Sequence, residues 1–411
     1  MKKRPVLTLV ADDEDGGLLR PPQLTVKSID DDDLSDEEED GLEASCDIGE
    51  TTFRKGPIHI NRTGVTFVSD AKDSEKATDD SVKSDKTWPV RRPLTPPRRR
   101  QITLDELESC GLVGRGCSGH VLKAQHKVHR NEWYAIKVVN NVYDKSKRDQ
   151  MLTEIRTLYN VESPYLVECF GAYFKDHQLS LVLEFCAVGS LDGLIQRHAP
   201  IRESMLACMT YQMLQGLLHL KASHHFHRDI KPQNILVQSN GLVKLTDFGI
   251  ARELGNSQDM AQTFIGTFKY MSPERVQNEP YDYKSDIWSI GLVLIECATK
   301  VFPFRNARSY IDSIIECNDL ELPADTADLS FSDDFRAFIK ACLRKNPKQR
   351  ASAEQLMESP WLERHRALDG SRCARRLAQW LSRGDVAEAK DEEYEDDFEV
   401  EEEIETYTDE K

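Results

Sequence analysis

The run His227-Arg228-Asp229-Ile230-Lys231-Pro232-Gln233-Asn234, followed thirteen residues after Asn234 by Asp247-Phe248-Gly249, constrains this chain more than any other feature. It supplies a carboxylate, Asp229, able to accept a hydroxyl proton. Lys231, two residues on, is a cation that can neutralise a transferring phosphoryl group. Asn234 and Asp247 are oxygen donors of the kind that hold Mg²⁺ against nucleotide phosphates. A polar loop that merely caps two strands has no need of this order and spacing.

Further upstream, Gly114-Arg115-Gly116-Cys117-Ser118-Gly119-His120-Val121 lies between two strand-like segments. Glycines let a backbone approach phosphate oxygens and present N–H donors to them. A dinucleotide-binding fold would need a helix after the third glycine, whereas Val121-Leu122-Lys123-Ala124 reads as another strand. Taken alone, the glycines are balanced between a phosphate loop and an incidental turn. In Ala135-Ile136-Lys137 a lysine interrupts an apolar strand, and on its own it would snorkel outward. The next helical period, residues 149–161, changes that expectation. Met151, Ile155 and Leu158 mark its buried face, and Glu154 falls on the same face, where a carboxylate needs a partner. Lys137 is the expected partner, its ammonium thereby held where it meets the phosphates of a nucleotide under the glycine loop.

Around these motifs the chain changes character twice. Residues 1–101 hold acidic runs and a Lys/Asp/Ser-rich stretch that cannot bury enough apolar surface to offset the entropy of ordering. The exception is the stretch from Phe53 to Val68, which reads as a short hairpin, marginal when isolated. Residues 102–365 are globular. Strand-like segments at 111–115, 120–126, 133–139, 166–174 and 179–185 come first, and helical apolar stretches at 205–220 and 287–297 follow. That order predicts an α+β chain with a small β-rich lobe and a larger helical lobe. An amphipathic piece spans 366–390, its Ala374, Leu377, Trp380 and Leu381 stripe either core or a docking helix. An acidic tail spans 391–411. With 71 acidic and 54 basic residues the formal charge is −17, which argues against a nucleic-acid partner. No apolar run is long enough to span a membrane, and the opening residues are too short in apolar length for a signal peptide. Ten cysteines without paired spacing fit a reducing compartment, so a cytoplasmic location is expected, with nuclear entry left open by the basic runs.

In family order the glycine loop, AIK, the helix glutamate, HRDxKPxN, DFG and a modified APE make residues 102 to 362 resemble a eukaryotic protein kinase domain of two lobes. The resemblance implies ATP and Mg²⁺ as cofactors. It assigns Asp229, Lys231, Lys137 and Glu154 to catalysis, and Asn234 and Asp247 to the metal. Nucleotide contacts would come from Gly114, Arg115, Gly116, Cys117, Gly119, Val121, Ala135, Lys137, Asn234 and Asp247. The hinge would be Glu184-Phe185-Cys186, with Glu184 and Cys186 holding the adenine and Leu183 as gatekeeper. It further implies that Asp286 ties down the catalytic-loop backbone and that Arg350 pairs with Glu274.

The segment Thr263-Phe264-Ile265-Gly266-Thr267-Phe268-Lys269-Tyr270-Met271-Ser272-Pro273-Glu274-Arg275 is similar to that of MAP kinase kinases. Ser257 and Thr263 stand five residues apart, as in plant and some protist members, and are the implied phosphorylation sites. Asp259 holds the position that animal members phosphorylate. Arg228, beside Asp229, calls for an anion such a phosphate would supply. Lys2, Lys3 and Arg4, followed by Leu7 and Leu9, resemble the docking peptide by which the family holds its MAP kinase. Implied partners are thus a downstream MAP kinase and an upstream MAP kinase kinase kinase. Two other readings stay open on the residues alone: a Ser/Thr kinase of a neighbouring branch, and a nucleotide-binding scaffold without catalysis.

Overall fold

The computed structural model describes residues 6–8, 25–27, 47–49, 52–55, 58–67, 100–116, 119–139, 155, 161–175, 178–247, 268–280, 282–304, 309–317, 320–327 and 329–383. Two compact units are distinguished, Met1–Ser45 and Cys46–Lys411. In the first, strand β1 (Val6–Thr8) pairs antiparallel with β2 (Thr25–Lys27).

The second unit opens with strands β3 (Asp47–Gly49), β4 (Thr52–Lys55), β5 (Ile58–Asn61) and β6 (Gly64–Phe67), a four-stranded antiparallel meander. The expected hairpin is therefore only the last half of a larger sheet. Its tight turn is set by Asn61, whose Oδ1 accepts from the backbone N–H groups of Thr63 and Gly64 at 2.8 and 3.1 Å. Gly64 sits at φ +133°, a backbone conformation that suits glycine. The meander is not isolated: β4, β5 and β6 all lie against the strand Cys169–Lys175 of the next sheet.

That next sheet has five antiparallel strands in the order β10-β11-β9-β8-β7: β7 (Leu107–Gly116), β8 (Gly119–His126), β9 (Trp133–Val139), β10 (Cys169–Lys175) and β11 (Gln178–Glu184). Alternation of side chains divides its residues between two apolar layers. Tyr134, Ile136, Val138, Tyr173 and Val182 form one with Ile102 and Leu107. Val139, Ala172, Phe174, Leu179, Leu181 and Leu183 belong to the other, which continues into the helical lobe.

After β11 the chain turns helical. Short strand β12 (Gly189–Ser190) leads into α1 (Leu191–His198), started by the Ser190 side chain accepting from Gly193 N. Helix α2 (Glu203–Ala222) is apolar on nearly every side and runs through the middle of the lobe. Strands β13 (Ile235–Val237) and β14 (Val243–Leu245) form a hairpin beside it. Helices α3 (Pro273–Val276), α4 (Lys284–Thr299), α5 (Tyr310–Glu316), α6 (Asp333–Cys342), α7 (Ala353–Met357), α8 (Pro360–Arg364) and α9 (Gly370–Arg383) follow. Serines 309, 332, 352 and 359 cap four of these N-termini, each accepting a backbone N–H three residues on. Helix α9 packs on α2 with Cys373 and Leu377 fully buried, and Trp380 meets His198 edge-on at 5.2 Å, so the amphipathic stripe is core. Among the described residues no helix is long and apolar enough to cross a membrane.

Candidate active site

The thirteen-residue gap between Asn234 and Asp247 is the length of the β13–β14 hairpin. Ile235 pairs with Leu245, so Asn234 and Thr246 are the next rung, and Thr246 N donates to Asn234 O at 3.0 Å. Asp247 then leaves the strand in the left-handed region, φ +58°. Arg228 adopts φ +67°. Left-handed non-glycine residues store about 1–3 kcal/mol each and cluster where a backbone is held for function.

Five predicted residues converge here. Lys137 Nζ donates to Asp247 Oδ1 at 2.7 Å. Lys231 Nζ donates to Asp229 Oδ2 at 2.6 Å, and Asn234 Nδ2 donates to the same oxygen at 2.8 Å and to Asp229 O at 2.9 Å. Burial works to raise the Asp247 pKa, but the charge of Lys137 and its hydrogen bond hold it below the usual carboxylate range. Asp247 thus stays anionic. Lys137 points inward, on the face of the sheet that meets the helical lobe, as the strand's alternation requires. Glu154, its expected partner, lies outside the described residues, and the structure places the ammonium on Asp247.

The loop beneath is anchored to α4. Asp286 Oδ2 accepts from His227 N at 3.0 Å and Oδ1 from Arg228 N at 2.8 Å, as the resemblance implied. His227 is fully buried, and desolvation pushes its pKa down to about 3, so the imidazole is neutral and its Nδ1 accepts from Asp229 N at 3.3 Å. The guanidinium of Arg275 donates to Arg228 O, tying α3 to the same loop.

Above the cleft, Gly119 is dictated by packing, since a Cβ there would lie 1.8 Å from Val138 O. Gly114 is different: a Cβ would meet nothing within 4 Å, leaving its backbone open to a ligand. Gly116, Arg115, Val121 and Ala135 lie on the paired strands around it, while Cys117 is outside the described residues. At the hinge, Leu183 and Cys186 are buried, and burial drives the Cys186 thiol up to about 12, so it stays a thiol. The Glu184 carboxylate is taken up by the β13–β14 hairpin: Lys244 binds it at 2.9 Å and Gln238 Nε2 donates to it at 2.7 Å. Lys244, Gln238 and Arg275 are the supporting residues that sequence reasoning missed; a lysine two residues before Thr246 in an otherwise apolar strand was the available signal.

The donor chemistry fits a nucleotide and a divalent metal. Asn234 gives both its N–H bonds to Asp229, which leaves its Oδ1 available beside the anionic Asp247, a hard oxygen set. Among the described residues no group of three or more histidine, cysteine or carboxylate side chains could hold a metal ion. Ser257, Thr263, Asp259 and Thr267, like Lys2, Lys3, Arg4 and Leu9, fall outside the described residues. Leu7 lies in β1.

A two-lobed fold with this constellation defines a protein kinase, and the protein kinase domain family matches residues 107–362. The mitogen-activated protein kinase kinase SIPKK of Nicotiana tabacum is 35% identical over 77% of this chain and 86% of its own length. Mitogen-activated protein kinase kinase 2 of Arabidopsis thaliana is 34% identical over 76% and 84%. The Drosophila melanogaster dual specificity mitogen-activated protein kinase kinase dSOR1 is 34% identical over 64% and 72%. The chain belongs to the MAP kinase kinase family of protein kinases, enzymes for which ATP and a divalent metal are typical cofactors.

Proposed function

We propose that this kinase uses Mg²⁺ and ATP to phosphorylate both the Thr and the Tyr of a MAP kinase activation loop, after an upstream MAP kinase kinase kinase has phosphorylated Thr263 and Ser257. The observation that carries the chemistry is the convergence of Lys137, Asp229, Lys231, Asn234 and Asp247 on one cleft. Asp229 accepts the proton of the incoming hydroxyl as its oxygen attacks the γ-phosphorus and ADP departs. Lys231, already on Asp229, neutralises charge on the transferring group. Lys137 holds the nucleotide's phosphates, and Asn234 with Asp247 would hold Mg²⁺, which when bound neutralises the β- and γ-oxygens. The family resemblance of the Thr263–Arg275 segment and the relatives' names support the MAP kinase substrate. Lys231 is equally at home in a kinase that modifies only Ser and Thr, which is the second reading.

Kinase-dead MAP kinases incubated with the full-length protein and ATP, with sites read by mass spectrometry, separate the two. Phosphate on both residues of a Thr-x-Tyr is the expected result; Thr alone favours the second reading. Removing residues 2–9, which hold the Lys2, Lys3, Arg4, Leu7 and Leu9 docking pattern, should raise KM for the folded MAP kinase and leave a peptide substrate unchanged.

Thr263→Ala should lower the activity reached after treatment with the upstream kinase at least about tenfold. A phosphate there would supply at least one charge-assisted hydrogen bond, typically about 1.5–3 kcal/mol, and each 1.4 kcal/mol is about tenfold in rate. Equal activation of variant and wild type would remove Thr263 from the scheme.

A further inference from the structure

The hinge is held from both lobes by successive side chains. Glu184 ends β11, and its carboxylate is taken by Lys244 and Gln238 of the hairpin that sets Asn234 and Asp247 in place. Phe185, the next residue, is held by a different cation. The ammonium of Lys123 lies 4.9 Å from the centre of the Phe185 ring and 4.0 Å from that of Trp133. One side chain of β8 thus joins the start of β9 to the hinge.

The strand register accounts for the meeting. Directly opposed residues of an antiparallel pair share a face, as do residues two apart on one strand. Val121 stands opposite Lys137, and Lys123 opposite Ala135. Trp133, two residues before Ala135, shares that face, and so does Leu183, which opposes Ala135 from β11. Lys123 and Trp133 therefore lie on the face that carries Lys137, two residues beyond Val121 and Ala135. The apolar core does not explain Trp133, which is 38% exposed beside a Tyr134 that is 6% exposed. A cation is drawn to the face of an aromatic ring within about 6 Å of its centroid, and Lys123 meets that distance for two rings at once.

We infer that Lys123 is a positioning residue for the nucleotide: through Phe185 it fastens the hinge to β8 and β9, the strands that carry Val121, Ala135 and Lys137, so that the base-holding and phosphate-holding parts of the site keep one spacing. Lys123 sits on two rings, apart from the bonded pair of Lys137 and Asp247, and acts through Phe185. The inference rests on the reading that Glu184 and Cys186 hold the adenine, and is independent of which protein is phosphorylated. Because Lys244 keeps its own grip on Glu184, removing Lys123 releases the hinge on one side only.

The test uses the full-length protein and compares Lys123→Met, Lys123→Arg and Trp133→Leu with wild type for kcat, KM for ATP, equilibrium binding of ADP and hydrogen exchange of the peptide spanning residues 184–186. Methionine keeps the apolar stem and removes the charge. A cation over one partly exposed ring corresponds to about two- to fivefold in an equilibrium constant, so Lys123→Met, which takes it from two, should weaken ADP binding and raise KM for ATP about three- to tenfold. Exchange at the hinge should quicken. At saturating ATP kcat should stay within about twofold of wild type, because Asp229 and Lys231 belong to the helical lobe and lost ground-state binding appears in KM. Lys123→Arg keeps a cation that stacks on aromatic faces and should retain most of the affinity. Trp133→Leu removes the nearer ring, should shift the same quantities by less, and carries the comparison if Lys123→Met does not fold. Unchanged hinge exchange in a folded Lys123→Met overturns the clamp itself. Faster exchange with unchanged ADP binding overturns nucleotide positioning by showing that the hinge does not seat the adenine. An arginine variant as impaired as the methionine one, or a loss in kcat as large as the rise in KM, overturns the inference as well.

Discussion

Asp229→Asn should leave the protein folded and able to bind nucleotide, yet transfer phosphate about 10²–10³-fold more slowly. Asparagine keeps the shape and one oxygen, so it can still accept from Lys231 or Asn234, which now converge on a single carboxylate oxygen at 2.6 and 2.8 Å. It loses the charge and the ability to take a proton. General-base assistance is worth about 10²–10⁴-fold, and removal of one preorganised charged group about 10²–10³-fold. The loss should fall on kcat, because Asp229 is bonded to Lys231 and Asn234 and, in the proposed mechanism, acts on the acceptor hydroxyl. Asp247→Asn should differ in kind. It removes the negative charge that Lys137 meets at 2.7 Å and that would hold a divalent metal, so KM for ATP should rise along with the fall in kcat. Single-turnover transfer combined with equilibrium binding of ADP distinguishes them: tight binding with slow transfer for the first, weakened binding for the second. Near-wild-type transfer by Asp229→Asn would remove the general base from the mechanism and leave orientation and charge to account for the rate.

Much of this site was legible because kinase chemistry concentrates in a few short, oddly polar stretches. The spacing of Asn234 and Asp247 reads as a hairpin once β13 and β14 are seen to pair, and the strand Trp133–Val139 was placed at its observed bounds because its apolar alternation is clear. Lys137 was correctly turned inward, although the partner the structure describes is Asp247, 110 residues away and beyond the reach of helix-face reasoning. Arg350 with Glu274 and Asp286 with the loop backbone came from family resemblance; nothing in local pattern relates residues 76 or 59 positions apart. The meander was under-read for a physical reason. Its first strands, Asp-Ile-Gly and Thr-Phe-Arg-Lys, are too short and polar to show a period, and what stabilises the sheet is burial of Ile60 against another sheet. Lys244 was missed because a lone lysine in a strand normally snorkels, and only the folded hinge shows Glu184 waiting for it.

The largest stability loss should come from Arg350→Met. Arg350 is 1% exposed, and its guanidinium is almost saturated. Nη1 donates to Glu274 Oε1 at 2.7 Å and Lys284 O at 3.0 Å, Nη2 to Glu274 Oε2 at 2.9 Å and Lys345 O at 3.1 Å, and Nε to Arg344 O at 2.9 Å. The pair joins α3 to the segment before α7 across the start of α4, with Trp288 beneath the guanidinium at 5.3 Å. Burial works to raise the Glu274 pKa, and the hydrogen bonds and charge of Arg350 more than offset it, so the carboxylate stays ionised. Methionine fills the volume but leaves that carboxylate without its countercharge, the Ser285 hydroxyl at 2.7 Å remaining, and takes a donor from three carbonyls. Breaking a buried pair from one side costs about 3–5 kcal/mol, which for a domain of this size lowers the melting temperature by roughly 6–20 °C. The double variant Arg350→Met with Glu274→Gln should recover part of the loss, because it removes the stranded charge. The pH dependence follows from the sign. A carboxylate held below its ordinary value contributes stability above that value, about 4.5, and loses it as the pH falls toward its folded-state pKa. Wild type should therefore lose stability below about pH 4.5 through this pair, while the double variant lacks that component. Calorimetry of the three proteins at neutral pH and at pH 4 would show it, and a single variant that melts with wild type at neutral pH would mean the pair contributes nothing net. Because Glu274 follows Ser272-Pro273 at the end of the segment that resembles a substrate-facing loop, and Arg275 beside it reaches Arg228 O, the same break should also loosen the catalytic loop. Arg350→Met should then lower kcat even at temperatures where the fold survives, which a purely remote stabilising pair would not do.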